Sequence, residues 1–202
     1  VIVTDVHVKN FNHSAYHIGA GSFTIAGGTI DCATDYPGET RLTTGIKIGG
    51  TANKVTGTIS GVTITRSHSA EGDTTAIEIY NHADVDVVDC VINQVRKGIC
   101  VDNGGYDTFG DVTVDISGTD LVAGDDAVLL SSKPDAASQA TVQIASGEFT
   151  GNLRIENGAD RDAITITGGR FSVDPTEYVA PGYYVSSSGG YSVYPEDSDG
   201  GT

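Results

Sequence analysis

A six-residue unit recurs along this chain: an apolar residue, a four-residue polar or small insert, and a second apolar residue. Ile116-Ser117-Gly118-Thr119-Asp120-Leu121 is one copy, and residues 25–30, 59–64, 87–92, 144–149 and 166–171 repeat its design, with 3–8 as a seventh. The starting positions 3, 25, 59, 87, 116, 144 and 166 lie 22 to 34 residues apart. That interval is too long for a hairpin repeat and suits one turn of a solenoid.

A second apolar pair returns between these units, in Ile46-Lys47-Ile48, Ile77-Glu78-Ile79, Ile99-Cys100-Val101, Val128-Leu129-Leu130 and Leu153-Arg154-Ile155. Strand alternation places the outer two residues of each triplet on one face and the middle residue on the other. Each repeat then holds three short strands, two of them bent around a Gly-containing corner such as Ser60-Gly61 or Gly168-Gly169. The expected fold is all-β, a right-handed parallel β-helix (solenoid) of about six to seven coils. Its interior stacks Ile25, Ile59, Val87, Ile116, Ile144 and Ile166 in one column and Ile30, Ile64, Ile92, Leu121, Phe149 and Phe171 in another. An antiparallel β-sandwich also has many short strands, but it gives no reason for one two-part unit to return in the same order. Helix is disfavoured by the Gly, Thr, Ser and Asp that fill the intervals.

The pattern stops after Phe171. Ser172-Val173-Asp174-Pro175 signals a turn, and Gly182-Tyr183-Tyr184-Val185 and Tyr191-Ser192-Val193-Tyr194 flank Gly189-Gly190 as a hairpin. The expected organisation is a parallel β-helix over 1–171, a C-terminal capping hairpin over 172–195, and a linker or tail over 196–202. Residues 31–44 and 65–75 form the longest insertions, and loops on a rigid scaffold are candidates for recognition.

With 27 acidic against 11 basic side chains, the formal charge is -16 over 202 residues. Such a chain repels nucleic-acid phosphates and anionic membrane surfaces, so no nucleic-acid partner and no membrane insertion are expected. No apolar run is long enough to cross a bilayer, and the amino end lacks the order of a signal peptide. The chain starts at Val1 and contains no Met, so it is expected to be part of a larger multidomain product. Cys32, Cys90 and Cys100 are odd in number and lack ligand spacing, so free thiols are expected. His7, His13 and His17 lie on different registers and are read as strand and loop residues, with no metal site. No cofactor is expected; calcium would suit the acidic composition, but no clear motif for it is present.

Thr167-Gly168-Gly169-Arg170-Phe171-Ser172-Val173-Asp174-Pro175, followed by Glu177-Tyr178-Val179-Ala180-Pro181-Gly182-Tyr183, resembles the closing segment of β-helical modules in large secreted surface proteins of Gram-positive gut bacteria. The rest resembles the pectate-lyase-like superfamily through its periodicity alone. The resemblance implies an extracellular, cell-wall-associated module and no reaction. The expected role is therefore non-catalytic: adhesion, binding of a glycan or of a host or cell-surface protein, or a rigid spacer.

Two other classes compete. β-helices host polysaccharide hydrolases and lyases, and Gly124-Asp125-Asp126-Ala127-Val128-Leu129-Leu130 resembles the Gly-Asp-Asp segment of polygalacturonase-like glycoside hydrolases. Paired carboxylates suit an inverting hydrolase, which makes Asp125 and Asp126 the catalytic candidates. However, Lys97 stands where that family has a further aspartate, and Gly151-Asn152-Leu153 replaces its His-Gly element. Overlay of the coils instead puts Arg96 and Lys97 one coil beneath Asp125 and Asp126, as pairs at a solvated edge. A lyase needs a base beside calcium-binding acids. Lys47, Glu78 and Arg154 share a strand column, and they are the candidate binding residues, but Cys100 and Leu129 interrupt that column. Pairing of Lys47 with Glu78 across adjacent coils is expected. The third class is a phage or viral spike segment, which requires self-association.

Overall fold

Runs such as Val112-Thr113-Val114-Asp115-Ile116-Ser117 alternate β-branched apolar residues with polar ones, and the alternate side chains Val112, Val114 and Ile116 are buried. This period of two builds every long element of the chain. The computed structural model describes residues 1–11, 13–32, 43–50, 53–66, 74–102, 110–131, 138–156 and 163–196. The expected loops at 31–44 and 65–75 fall mainly outside these residues, as does the tail beyond Glu196.

In chain order the strands are β1 (Ile2–Thr4), β2 (His7–Lys9), β3 (Ser14–Ile18), β4 (Gly21–Ala26), β5 (Thr29–Asp31), β6 (Thr43–Ile48), β7 (Val55–Ser60), β8 (Thr63–Thr65), β9 (Thr74–Tyr80) and β10 (Ala83–Val88). They continue as β11 (Val91–Asp102), β12 (Val112–Ser117), β13 (Thr119–Ser131), β14 (Ala140–Ile144), β15 (Gly147–Glu156), β16 (Ile164–Ile166), β17 (Gly169–Phe171), β18 (Tyr183–Ser186) and β19 (Tyr191–Pro195). Helical structure among the described residues is limited to 3-10 conformation at Ala163 and at Thr176–Tyr178.

These strands form three parallel ladders. The first runs β1-β4-β7-β10-β12-β14-β16, and the second runs β2-β5-β8-β11-β13-β15-β17. The third joins β3, β6 and β9 to the carboxyl halves of β11, β13 and β15, which bend from the second ladder into the third through register shifts. Both expected columns are in register. Ile25, Ile59, Val87, Ile116, Ile144 and Ile166 are successive partners in the first ladder. Ile30, Ile64, Ile92, Leu121, Phe149 and Phe171 are successive partners in the second. The Ile59 unit pairs parallel with the Val87 unit, which excludes the sandwich.

Between the first and second ladders the backbone turns through the left-handed region at Asp5 (φ 52), Gly27 (φ 67), Gly61 (φ 61), Asp89 (φ 51) and Gly118 (φ 60). Glycine adopts this conformation without steric cost, and aspartate tolerates it better than most residues. The two types are complementary along the stack. A Cβ on Gly27 would lie 2.0 Å from Asp5 Oδ1, and one on Gly118 would lie 2.0 Å from Asp89 Oδ1. Each aspartate therefore leans over a glycine on the next pass of the chain.

The core is dry and aliphatic, with Phe149 and Phe171 stacked at 5.2 Å near the carboxyl end. Small residues line the inner side where the third ladder begins: Gly45, Ala76, Gly98 and Ala127 occupy equivalent positions. A Cβ on Gly98 would meet Ala127 O and Leu121 Cδ1 at 2.5 Å, so the leucine fills the space that the glycine leaves. β18 and β19 form the expected antiparallel hairpin, and β19 pairs antiparallel with β17.

Candidate functional site

The middle residues of the third ladder point outward, because their two neighbours are committed to the core. In parallel register they are His17, Lys47, Glu78, Cys100, Leu129 and Arg154. The expected column of Lys47, Glu78 and Arg154 is therefore assembled as read, with Cys100 and Leu129 between them. Adjacent strands lie about 4.8 Å apart, so the column from Lys47 to Arg154 spans roughly 19 Å. A groove of about 510 Å³ runs over Lys47, Glu78, Cys100 and Leu129 of this column, bordered also by Thr44, Thr75, Lys97, Asp102, Ser131 and Glu156.

The amino-terminal part of the groove is a polar network. Lys47 Nζ donates to Glu78 Oε1 at 3.0 Å, the pairing expected from the sequence, and Thr44 Oγ1 donates to Glu78 Oε2 at 3.3 Å. The Lys47 ammonium also lies 4.8 Å from the centroid of the Tyr80 ring, within cation-π range. Tyr80 can lie flat because its neighbour in register is Gly49, where a Cβ would meet the ring at 2.6 Å. The Tyr80 hydroxyl lies 3.1 Å from His17 Nε2.

At the other end sits the Gly-Asp-Asp segment. Asp125 pairs with Arg96 as expected. Asp126 differs from expectation in setting, and it has a partner that the sequence reading did not name. It is 2% exposed rather than at a solvated edge, and it accepts Arg154 Nε at 3.0 Å and Nη2 at 2.6 Å. Lys97 is its partner in backbone register. The guanidinium from the opposite side reaches both carboxylate oxygens because its two donors are parallel. The Asp126 hydrogen bonds in turn raise the pKa of Arg154 above its ordinary value. Arg154 also pairs with Glu156.

The middle of the groove is apolar. Leu129 is 7% exposed and Cys100 is half-buried. Burial pushes the Cys100 thiol up to about 12, although nearby Lys97 acts in the other direction. Cys32 and Cys90 are free and buried, at separate positions of the fold. His7 Nδ1 lies 2.8 Å from Thr29 Oγ1, and His13 borders the groove. Among the described residues no cluster of three His, Cys, Asp or Glu side chains is placed to hold a metal ion.

Sequence reading missed His17, Tyr80 and Glu156 as members of this site. The signal for His17 was available: Tyr16-His17-Ile18 is one more triplet, opening with an aromatic residue in place of an aliphatic one. A second hollow of about 610 Å³ lies beside the hairpin, bordered by Asp120, Glu148, Arg170, Ser192 and Tyr194, with Arg170 Nη2 donating to Gly189 O at 2.7 Å.

Glu78 and Asp126 are poorly placed as a glycosidase pair. Glu78 and Asp126 are two strands and three residues apart, on the order of 14 Å by strand spacing and rise, against about 6.5–9.5 Å for an inverting pair. Both Asp126 oxygens are occupied inside the fold. Among the described residues no helix is long and apolar enough to cross a membrane. Comparison with models of protein families, with curated proteins and with solved structures finds no match.

Proposed function

We propose that this chain is a right-handed parallel β-helix of six to seven coils that acts as a non-catalytic binding module on a bacterial cell surface. The observation that carries the reading is the groove itself: an apolar floor of Cys100 and Leu129, flanked by the Lys47–Glu78 pair and the Arg154–Asp126 pair. An apolar patch among fixed polar groups that set orientation is a feature of ligand sites. A bare spacer has no need of six side chains ordered over roughly 19 Å of sheet. The three ladders in common register support the β-helix, and the resemblance of the closing segment supports the cell-surface location.

The test is a glycan and protein array read for both binding and product formation. Binding without cleavage is expected, and Leu129→Asp should abolish it while the far-UV circular dichroism stays unchanged. Cleavage of any glycan that disappears in a folded Asp126→Asn variant would replace this reading with the hydrolase one.

A further inference from the structure

Resting on the binding reading of the groove, we infer that its ligand is an uncharged glycan chain lying along the ladder, across the strands. The cations decide the charge class. Lys47 is held by Glu78 and faces the Tyr80 ring, Arg154 is held by Asp126 and Glu156, and Lys97, which also borders the groove, is in register with Asp126 and is not without a partner. A ligand carboxylate, sulfate or phosphate would have to draw one of these cations from its partner. For Arg154 that would take two hydrogen bonds from the carboxylate of Asp126, which is 2% exposed. A buried charge left without its partner is strongly unfavourable. The formal charge of -16 adds a long-range field against polyanions.

The floor and rim decide the chemical class. Leu129 and Cys100 offer an apolar patch to the C–H face of a sugar ring, and the hydroxyl oxygens of Thr44, Thr75 and Ser131 can accept from sugar hydroxyls. The strands under the floor, β6, β9, β11 and β13, are paired on both sides, so the floor presents side chains and no strand edge. Peptides that bind by strand addition need such an edge. Outward positions repeat at about 4.8 Å along the ladder, which favours a linear ligand with regularly spaced hydroxyls over a compact one.

Cys100 provides the readout, since it is half-buried in the groove whereas Cys32 and Cys90 are buried elsewhere. The experiment measures alkylation of Cys100 by iodoacetamide at pH 8.5, by mass spectrometry, with Cys32 as the internal control. The probes are neutral β-glucan, mannan, xylan and galactan fragments, polygalacturonate, and an oligolysine peptide. At a concentration tenfold above its Kd, a groove ligand slows Cys100 alkylation about tenfold, because only free protein reacts. The expected result is that at least one neutral fragment protects Cys100, that added salt leaves this protection unchanged, and that Leu129→Lys with an unaltered melting curve removes the binding. Protection by polygalacturonate or oligolysine with none from the neutral fragments overturns the uncharged ligand while leaving the groove a binding site. No protection by any probe overturns the groove reading as well.

Discussion

Asp126 and Arg154 face each other across one strand spacing in a two-point hydrogen bond, although the carboxylate is 2% exposed and the guanidinium side chain 45% exposed. This asymmetry fixes what each substitution does. Arg154→Met removes both donors and leaves a buried carboxylate, which should lower stability by about 1–3 kcal/mol. The exposure of Arg154 keeps the loss below that of a fully buried pair. Asp126→Asn removes the buried charge itself and should cost less. Urea midpoints for the two variants compare them directly, and a larger loss in Asp126→Asn would contradict the assignment.

Ile116 lies between Val87 and Ile144 in the first ladder and is 1% exposed. The backbones above and below are hydrogen-bonded, so they cannot close around a missing side chain. Ile116→Ala should cost about 2–5 kcal/mol. An unchanged urea midpoint would mean that this column does not carry the core.

The corner between the first two ladders gives a paired test. Gly118→Ala places a Cβ against Asp89 Oδ1 and puts alanine at φ 60. The left-handed conformation alone costs an alanine about 1–2 kcal/mol, and the steric contact adds to it. In an Asp89→Gly background the contact is gone and only the conformational part should remain. Equal losses in both backgrounds would show that the aspartate does not occupy that space.

Burial raises the pKa of Cys32 and of Cys100 from 9.0 to about 12. Below about pH 9 both thiols are protonated in the folded and the unfolded chain, and they contribute nothing to the pH dependence. Above it the unfolded chain releases protons that the folded chain keeps, so stability falls as pH rises towards about 12. Each thiol can contribute up to about 1.4 kcal/mol per pH unit in that window. The difference in melting between wild type and a Cys32→Ala, Cys100→Ala variant, followed from pH 8 to pH 11, isolates the effect. Parallel pH profiles would refute it.

The parallel strands and both core columns were legible because a period of two in Ile and Val leaves little choice of which side faces inward. The columns also return at intervals that only a stacked arrangement accommodates. The Lys47–Glu78 pair was legible for the same reason, as the middle residues of adjacent triplets. The partner of Asp126 was not. A residue inside a parallel stack has a neighbour on either side, and register pairs Asp126 with Lys97 as well as placing it beside the strand of Arg154. Side-chain length and donor geometry bring the guanidinium onto Asp126, and neither appears in a periodicity. Tyr80 was missed because what seats its ring is the absence of a side chain at Gly49, which lies 31 positions earlier in the chain.

Among the described residues the two ends of the stack differ in contour. At one end β1, β2 and β3 are the outermost strands of their ladders, each from the same pass of the chain. At the other, the second ladder runs on through β17, β19 and β18, while the third ends at β15 and the first at β16, which is joined beyond only by a bridge from Ile166 to Val179. One end is a level platform and the other a terrace with a step two strands high. A heterologous contact propagates only when opposite ends of a molecule mate. Here the open edges of β1, β2 and β3 would meet an end where β19 and β18 stand on the second ladder, so a head-to-tail contact would have to fit that step.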